Sequence, residues 1–174
     1  MQSLNERLRG AIRDIPDFPK EGILFKDIAP VLQDAALMKG ITHSFSERYE
    51  GKVDVVVGME SRGFIFGTPL AMELDAAFVP ARKPGKLPYS TIGVEYELEY
   101  GTNRLEMHTD AIRPGQRVLI VDDLLATGGT AAATLELVEQ LEGKVVGCCF
   151  VIELSFLNGA SALKGTPIHS LVTY

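Results

Sequence analysis

One stretch, residues 118–130, constrains the fold more than any other part of the chain; it reads VLIVDDLLATGGT. Its first four residues form a short apolar run, which is typical of a strand buried on both faces of a parallel sheet. Two carboxylates, Asp122 and Asp123, follow this strand. A loop of small residues then leads into a helix that we expect to begin near Thr130. A buried strand, a small-residue loop and a helix in this order predict an α/β domain.

The same alternation of apolar runs and amphipathic stretches continues through the chain. The predicted strands are 53–57, 77–80, 118–121 and 144–152, and the predicted helices begin near Ser3, at Asp34, after Gly63 and near Thr130. Residues 94–100 alternate apolar and acidic side chains, and a turn at 101–103 leads back into 105–108, which predicts an antiparallel hairpin. We therefore expect a central, mainly parallel sheet that is flanked by helices.

Two segments stand apart from this alternation. About residues 1–33 are predicted to form an N-terminal hood, which starts with a capping box at Ser3 and Glu6 and includes the apolar patch 23–25. Residues 82–93 contain three basic residues, two prolines and two glycines but no apolar periodicity, which predicts a flexible loop. A length of 174 residues favours a single domain over residues 1–174.

Composition excludes several classes of function. The net charge of -6 has the wrong sign for a protein that binds a nucleic-acid backbone. The apolar run 145–152 is too short to span a membrane, and the polar residues 5–7 do not suit a secretory signal, so we expect a cytoplasmic protein without nucleic-acid or membrane partners. Cys148 and Cys149 are adjacent in a predicted strand and are expected to be ordinary buried thiols. No spacing of cysteine and histidine suits a metal site.

The residues that follow the strand at 118–121 have side chains and main-chain groups that suit a sugar phosphate. A glycine-rich loop at 126–130, placed at a helix amino terminus, offers N–H groups, hydroxyls and the positive end of the helix dipole to a phosphate. Asp122 and Asp123 lie where open α/β sheets bind ligands, and two adjacent acceptors suit the vicinal hydroxyls of a ribose. The competing interpretation, turn and cap residues without a ligand, accounts for a lone Asp-Asp pair but not for the whole stretch.

The stretch 122–130, DDLLATGGT, resembles the phosphoribosyl-pyrophosphate motif of the type I phosphoribosyltransferases. Further stretches match landmarks of this family in the expected order: DFPKEGILFKDI at 17–28, ESRGFIFG at 60–67, RKPGKLP at 82–88 and LEYG at 98–101. The resemblance implies a type I phosphoribosyltransferase fold with an N-terminal hood, an antiparallel hairpin and a flexible loop. It also implies that a base nitrogen displaces pyrophosphate from an activated ribose, with Mg²⁺ carried by phosphoribosyl pyrophosphate (PRPP).

Residue roles follow from the resemblance position by position. Phosphate and ribose binding is implied for Asp122, Asp123, Ala126, Thr127, Gly128, Gly129 and Thr130. Pyrophosphate binding is implied for Ser61, Arg62, Gly63, Arg82 and Lys86, and base binding for Leu24, Phe25, Lys26 and Leu157. The implied catalytic residues are Glu99, Tyr100 and Arg82, with Glu99 as the acid that donates a hydrogen bond or a proton to N7 of the base. Family members also imply a homodimer in which Arg82 serves the neighbouring subunit.

Adenine is the base that the resemblance favours, in a reaction of purine salvage that forms AMP. Relatives that act on 6-oxopurines usually carry an aspartate in the phosphate loop, where this chain has Ala126. A xanthine or 6-oxopurine transferase is the alternative enzyme, and a PRPP-binding purine regulator is the alternative outside catalysis.

Without the resemblance, simpler interpretations of several residues stand. The three cations of residues 82–86 are then a solvated basic loop. Glu60 and Arg62 are a surface ion pair, and Phe25 is a core residue. Glu99 shares one face of its strand with Glu95 and Glu97, which is typical of solvated carboxylates.

Overall fold

The structure is a computed structural model that describes residues 2–97 and 102–174. The helices and strands follow one another in this order: α1 (Leu4–Ala11), β1 (Arg13–Pro16), β2 (Leu24–Asp27), α2 (Ala29–Leu32), α3 (Ala35–Tyr49), β3 (Val55–Met59), α4 (Arg62–Glu73), β4 (Ala77–Ala81), β5 (Thr91–Glu97), β6 (Thr102–His108), β7 (Arg117–Leu125), α5 (Gly129–Gln140), β8 (Lys144–Glu153) and β9 (Ile168–Thr173). Two short 3₁₀ helices, Ser155–Leu157 and Gly159–Leu163, connect β8 to β9. None of the helices in the described ranges is long and apolar enough to cross a membrane.

The central sheet, within the described residues, has five parallel strands in the order β4-β3-β7-β8-β9. After β3 the chain moves outward to β4, whereas β7 enters on the other side of β3. The neighbours β3 and β7 are therefore a topological switch point, where loops that leave adjacent strand ends diverge and open a crevice. The loops that start at Glu60 and Ala126 lie at this crevice.

Apolar side chains cover the central sheet on both faces, because its strands are apolar at consecutive positions. The resulting two clusters of buried residues each receive one of the adjacent thiols, Cys149 in one and Cys148 in the other. Both thiols are fully buried, which confirms the sequence prediction.

The predicted α/β class is confirmed, and the differences from prediction are mainly at element ends. β7 does not end at Val121 but continues to Leu125, because Leu124 and Leu125 still pair with Ile152 and Glu153 of β8. Asp122 and Asp123 therefore belong to the strand itself. β3 is shifted by two residues from the predicted 53–57, because its last residues pair with the end of β4.

Two further differences concern strands. Residues 91–93 were predicted to be loop but belong to β5, where they pair with residues 106–108 of β6. β9 was not predicted, because its six residues mix polar and apolar side chains without a clear period.

The hood contains α1, α2 and a separate antiparallel pair formed by β1 and β2. The predicted capping box is present, since the Ser3 hydroxyl accepts from the Glu6 N–H and the Glu6 carboxylate accepts from the Ser3 N–H. Within the hairpin the rings of Phe18 and Phe25 meet edge to face, with centroids 5.0 Å apart.

Candidate active site

A cavity of about 250 Å³ lies at the switch point between β3 and β7. Its lining comes from the ends of these two strands and from the beginnings of the helices that follow them. The lining residues are Met59, Glu60, Arg62, Asp122, Asp123, Leu124, Leu125, Ala126, Thr127, Gly128, Gly129, Thr130 and Ala131. The structure thus gathers the whole predicted phosphate and ribose motif around one cavity.

The loop at 126–130, here called the phosphate loop after its predicted ligand, owes its shape to Gly128, which precedes α5 in a left-handed conformation with φ of 85°. A Cβ at this position would lie 2.4 Å from the carbonyl oxygen of Gly159, and a Cβ at Gly159 would lie 2.2 Å from that of Ala126. The loop therefore packs directly on the main chain of the 3₁₀ helix Gly159–Leu163. This support leaves the amino terminus of α5 directed at the cavity, where helix geometry suits an anion. Gly159 was not identified from the sequence, since no local pattern connects it to Gly128.

The two carboxylates at the end of β7 have different partners. Asp123 is only 5% exposed, and its Oδ2 lies 2.5 Å from Nε of Arg62. Asp122 accepts a hydrogen bond from the Asp123 N–H through Oδ1 at 2.8 Å. Burial, together with the negative charge of Asp123, raises the pKa of Asp122 well above its usual range.

The turn after β3 brings the predicted pyrophosphate residues to the cavity rim. Ser61 is exposed and precedes α4 without a side-chain cap bond, and the Glu60–Ser61 peptide is cis. Gly63 is buried, and a Cβ there would lie 2.6 Å from the carbonyl oxygen of Val121, so α4 packs closely on β7. Arg62 pairs with the carboxylate of Asp123, which was predicted to bind ribose. The simpler interpretation of Glu60 and Arg62 as an ion pair with each other is therefore wrong.

Glu60 pairs instead with the segment that follows β4. Its carboxylate accepts from Nε and Nη2 of Arg82, both at 3.3 Å, and from the Lys83 N–H at 2.8 Å. Burial opposes ionisation of Glu60, but these donors and the two cations lower its pKa overall. Arg82 also donates to the carbonyl of Lys86 at 3.1 Å and shares two main-chain hydrogen bonds with Glu106. Arg82 is thus held by Glu60 and Glu106, whereas the side chains of Lys83 and Lys86 are exposed, as expected of a solvated basic loop.

The hairpin of β5 and β6 lies beside the phosphate loop. The Thr130 hydroxyl donates to the hydroxyl oxygen of Tyr96 on β5 at 3.3 Å. The predicted catalytic residues Glu99 and Tyr100 lie outside the described residues, so their roles stay predictions.

The predicted base-binding residues occupy two elements. Leu24, Phe25 and Lys26 are consecutive in β2, and Leu157 ends the first 3₁₀ helix. Leu24 and Leu157 are exposed to 51% and 40%, so apolar surface is available at both elements. Lys26 is held by Asp14 and by the ring of Tyr174.

Comparison with known proteins identifies the family. The phosphoribosyl transferase domain family matches residues 29–163. An adenine phosphoribosyltransferase from Acetivibrio thermocellus is 58% identical over 169 residues, which are 96% of this chain and 99% of that protein. The solved structure of adenine phosphoribosyltransferase from Thermoanaerobacter pseudethanolicus has a TM-score of 0.94 and 53% identity, and it covers 98% of this chain and 99% of its own.

A second solved structure contains ligands. The adenine phosphoribosyltransferase from Saccharomyces cerevisiae, complexed with an imino-altritol bisphosphate and adenine, has a TM-score of 0.92 and 45% identity over 98% of this chain and 99% of its own. Sequence, fold and cavity therefore lead to one assignment: the chain belongs to the phosphoribosyltransferase family, in which these relatives are adenine phosphoribosyltransferases.

Proposed function

We propose that the protein transfers the ribose 5-phosphate group of PRPP to adenine, and so forms AMP and pyrophosphate in purine salvage. One observation carries the proposal: the carboxylate pair, the phosphate loop and the cation Arg62 line a single cavity at the switch point of the sheet. The relatives named adenine phosphoribosyltransferase, one of them solved with adenine, support adenine as the base.

In this proposal, the phosphate loop binds the 5-phosphate through its main-chain N–H groups and the hydroxyls of Thr127 and Thr130. Asp122 and Asp123 accept hydrogen bonds from the ribose hydroxyls. Asp123 has to exchange its Arg62 contact for a ribose hydroxyl, and Arg62 is then available to the pyrophosphate together with Ser61, Gly63 and Lys86, and with Arg82 of the neighbouring subunit. An anionic substrate thus favours the rearrangement that prepares the ribose site.

The reaction forms a bond between N9 of adenine and C1 of the ribose, breaks the bond from C1 to the pyrophosphate oxygen and releases the N9 proton of adenine to solvent. The ribose becomes cation-like as the leaving group departs, so the chain has to position two substrates and stabilise charge more than supply a nucleophile. Exclusion of water protects the reactive carbon, which is the proposed reason for a loop at 82–90 that closes over the site.

The cavity also suits a magnesium ion that enters with PRPP. Mg²⁺ is commonly held by one or two carboxylates together with substrate phosphates, and the carboxylates of Asp122 and Asp123 line the cavity. Among residues 2–97 and 102–174, no group of three or more His, Cys, Asp or Glu is arranged to hold a metal alone. When bound, the metal neutralises charge on the departing pyrophosphate.

Pyrophosphate release tests the proposed reaction. The purified protein is incubated with PRPP, with and without Mg²⁺, and separately with adenine, hypoxanthine, guanine, xanthine and orotate. We expect magnesium-dependent release with adenine. Preferential use of hypoxanthine, guanine or xanthine would contradict the proposal, and PRPP binding without turnover of any base would favour a regulator.

Glu99 and Glu95 provide a matched pair for the proposed acid. A general acid typically contributes about 10²- to 10⁴-fold in rate, so Glu99→Leu should lower kcat with adenine by a factor in this range. Glu95 is exposed on β5, and Glu95→Leu should leave kcat nearly unchanged. Equal losses in the two variants would remove Glu99 from the mechanism.

We propose a homodimeric, cytoplasmic enzyme of one domain, in which Arg82 contributes to the neighbouring site. Sedimentation velocity tests the dimer. Mixing an inactive Asp123→Asn variant with an inactive Arg82→Ala variant tests the sharing of sites, since mixed dimers should regain activity only if Arg82 acts across the interface.

A further inference from the structure

Tyr174 is bonded through its main chain to one of the two elements that carry proposed base-binding residues. Its N–H donates to the carbonyl of Glu153 at 2.9 Å. Its main-chain oxygen accepts from the Ser155 N–H at 2.9 Å and from the Ser155 hydroxyl at 2.7 Å. Ser155 begins the short 3₁₀ helix that ends at Leu157, so these bonds fix the turn that presents Leu157.

The ring of Tyr174 contacts the second element, β2. Nζ of Lys26 lies 3.9 Å from the ring centroid. The Lys26 side chain is only 9% exposed, and its Nζ also lies 2.6 Å from Oδ1 of Asp14, its direct partner across the β1–β2 pair. Lys26 is thus a cation withdrawn from water and held between a carboxylate and an aromatic face, where cation–π attraction is stronger than at an exposed site.

Helix α1 is tied to the same residues. The guanidinium carbon of Arg9 lies 4.7 Å from the centroid of the Tyr174 ring, and Nη2 of Arg9 donates to the carbonyl of Thr173 at 2.6 Å. One aromatic ring therefore contacts both α1 and β2 of the hood.

The remaining contacts of β2 stay within the hood. In the part of the chain that the structure describes, its hydrogen bonds, ion pairs and ring contacts, apart from the one with Tyr174, involve partners at 13–18 and 29. Among these hydrogen bonds, ion pairs and ring contacts, those of Tyr174 therefore connect β2 to the 3₁₀ helix Ser155–Leu157, here called the Ser155 turn.

We propose that Tyr174 is a positioning residue for the base, which sets the spacing between Phe25 on β2 and Leu157 on the turn. The proposal rests on the proposed function, since it assumes that a purine lies between these two elements. Loss of the ring would let β2 move relative to the turn, and the site for the base would lose its fixed width while the PRPP site at β3 and β7 stays intact.

Two variants at position 174 test the ring. Tyr174→Leu keeps an apolar side chain but removes the aromatic face, and Tyr174→Phe keeps the face. Tyr174→Leu should raise KM for adenine about tenfold, which corresponds to about 1.4 kcal/mol, with kcat and KM for PRPP within about twofold of wild type. Tyr174→Phe should leave KM for adenine within about twofold of wild type. Equal increases in KM for both substrates, or equal effects of Leu and Phe, would overturn the proposal.

The cation provides a second, independent test. Lys26→Met keeps most of the side-chain length without the charge, and it should also raise KM for adenine. In the double variant with Tyr174→Leu, Lys26→Met should raise KM for adenine little further, because both substitutions remove the same contact between Lys26 and the Tyr174 ring. Lys52→Met, at an exposed lysine that donates to the Arg48 carbonyl, is the control and should change neither KM. Additive effects of Lys26→Met and Tyr174→Leu would overturn the proposal.

Hydrogen exchange separates this proposal from the proposed function. Without substrates, amides of residues 24–27 should exchange faster in Tyr174→Leu than in wild type and Tyr174→Phe, while β7 amides are unchanged. If the wild-type chain does not use adenine, the proposed function fails. Equal exchange of residues 24–27 in wild type and Tyr174→Leu would instead overturn the link between Tyr174 and β2.

Discussion

At the scale of single residues, two adjacent carboxylates at the end of β7 are in unequal positions. Asp123 is buried against the guanidinium of Arg62, which compensates its charge. Asp122 accepts a main-chain hydrogen bond but lies beside the charge of Asp123, and burial adds to the cost of ionising it. A carboxyl group whose ionisation is unfavourable in the free protein is expected at a site that binds a ligand.

The raised pKa of Asp122 predicts that Asp122→Asn stabilises the free protein at pH 7. Because the folded-state pKa lies above the unfolded value, the stability contributed by the protonated carboxyl is complete below the unfolded pKa and is lost as pH rises through the folded pKa. Asparagine avoids this loss. The melting temperature at pH 7 should rise by about 2–4 °C, the effect of about 1 kcal/mol in a protein of this size.

Calorimetry on wild type, Asp122→Asn and the exposed-site control Asp110→Asn checks this prediction. The increase in melting temperature from Asp122→Asn should vanish at acidic pH, where Asp122 is protonated in both the folded and the unfolded state. PRPP affinity should fall in the same variant. A lower melting temperature at pH 7, or a difference that does not depend on pH, would contradict the assigned direction.

At the scale of elements, the site depends on loops that are held by other loops. The phosphate loop packs on the 3₁₀ helix Gly159–Leu163, and the segment after β4 is held by Glu60. Each support joins parts of the chain that are distant in sequence, so each can be weakened by one substitution away from the substrate.

Gly128→Ala should destabilise the protein by about 2 kcal/mol or more. The substitution forces a side chain into a left-handed conformation, and its Cβ would also approach the Gly159 carbonyl to 2.4 Å. Gly10→Ala is the control, because Gly10 is helical and no heavy atom lies within 4 Å of its added Cβ. It should stabilise by about 0.5 kcal/mol. Urea unfolding measures both, and equal effects would contradict the packing of the two loops.

Glu60→Gln should loosen the segment after β4. The neutral amide loses the ionic attraction to Arg82 and is a weaker acceptor for the Lys83 N–H, so local opening should become more frequent. Trypsin cleavage after Lys86 should then be several-fold faster, which corresponds to a decrease of about 1 kcal/mol in the free energy of local opening. Cleavage after the exposed Lys164 is the internal control. In wild type, PRPP with Mg²⁺ should suppress cleavage after Lys86, and a rate unaffected by the substrate would contradict closure of the loop.

At the scale of the whole molecule, the central sheet separates two cores that unfold together if the domain is cooperative. Cys148 and Cys149 report on the two faces. Burial raises the pKa of the Cys148 thiol to about 12, and burial with the neighbouring Cys148 raises that of Cys149 further. Neither thiol should react in the folded protein, since the thiolate is the reactive form.

Alkylation in urea tests this cooperativity. Both thiols should become labelled at the same urea concentration, which should equal the midpoint of global unfolding, and mass spectrometry should find mainly species with zero or two labels. A singly labelled species that accumulates before the midpoint would show that one core opens alone.

The sequence by itself determined the features that depend on neighbours along the chain. Residues 118–130 predicted a strand, two carboxylates, a loop of small residues and a helix start, because period, turn chemistry and capping are local properties. The fold class followed from repetition of such units, and the family resemblance supplied the proposed roles of residues such as Phe25 and Lys86.

Only the tertiary structure decided which distant residues meet. Glu60 and Arg62 are close in sequence, yet Arg62 pairs with Asp123 and Glu60 with Arg82, because the order of strands brings the ends of β3, β4 and β7 together. The contacts of Gly128 with Gly159 and of Lys26 with Tyr174 have the same origin. The choice of an ion-pair or packing partner is a matter of proximity in space, and proximity depends on strand order, which no local pattern encodes.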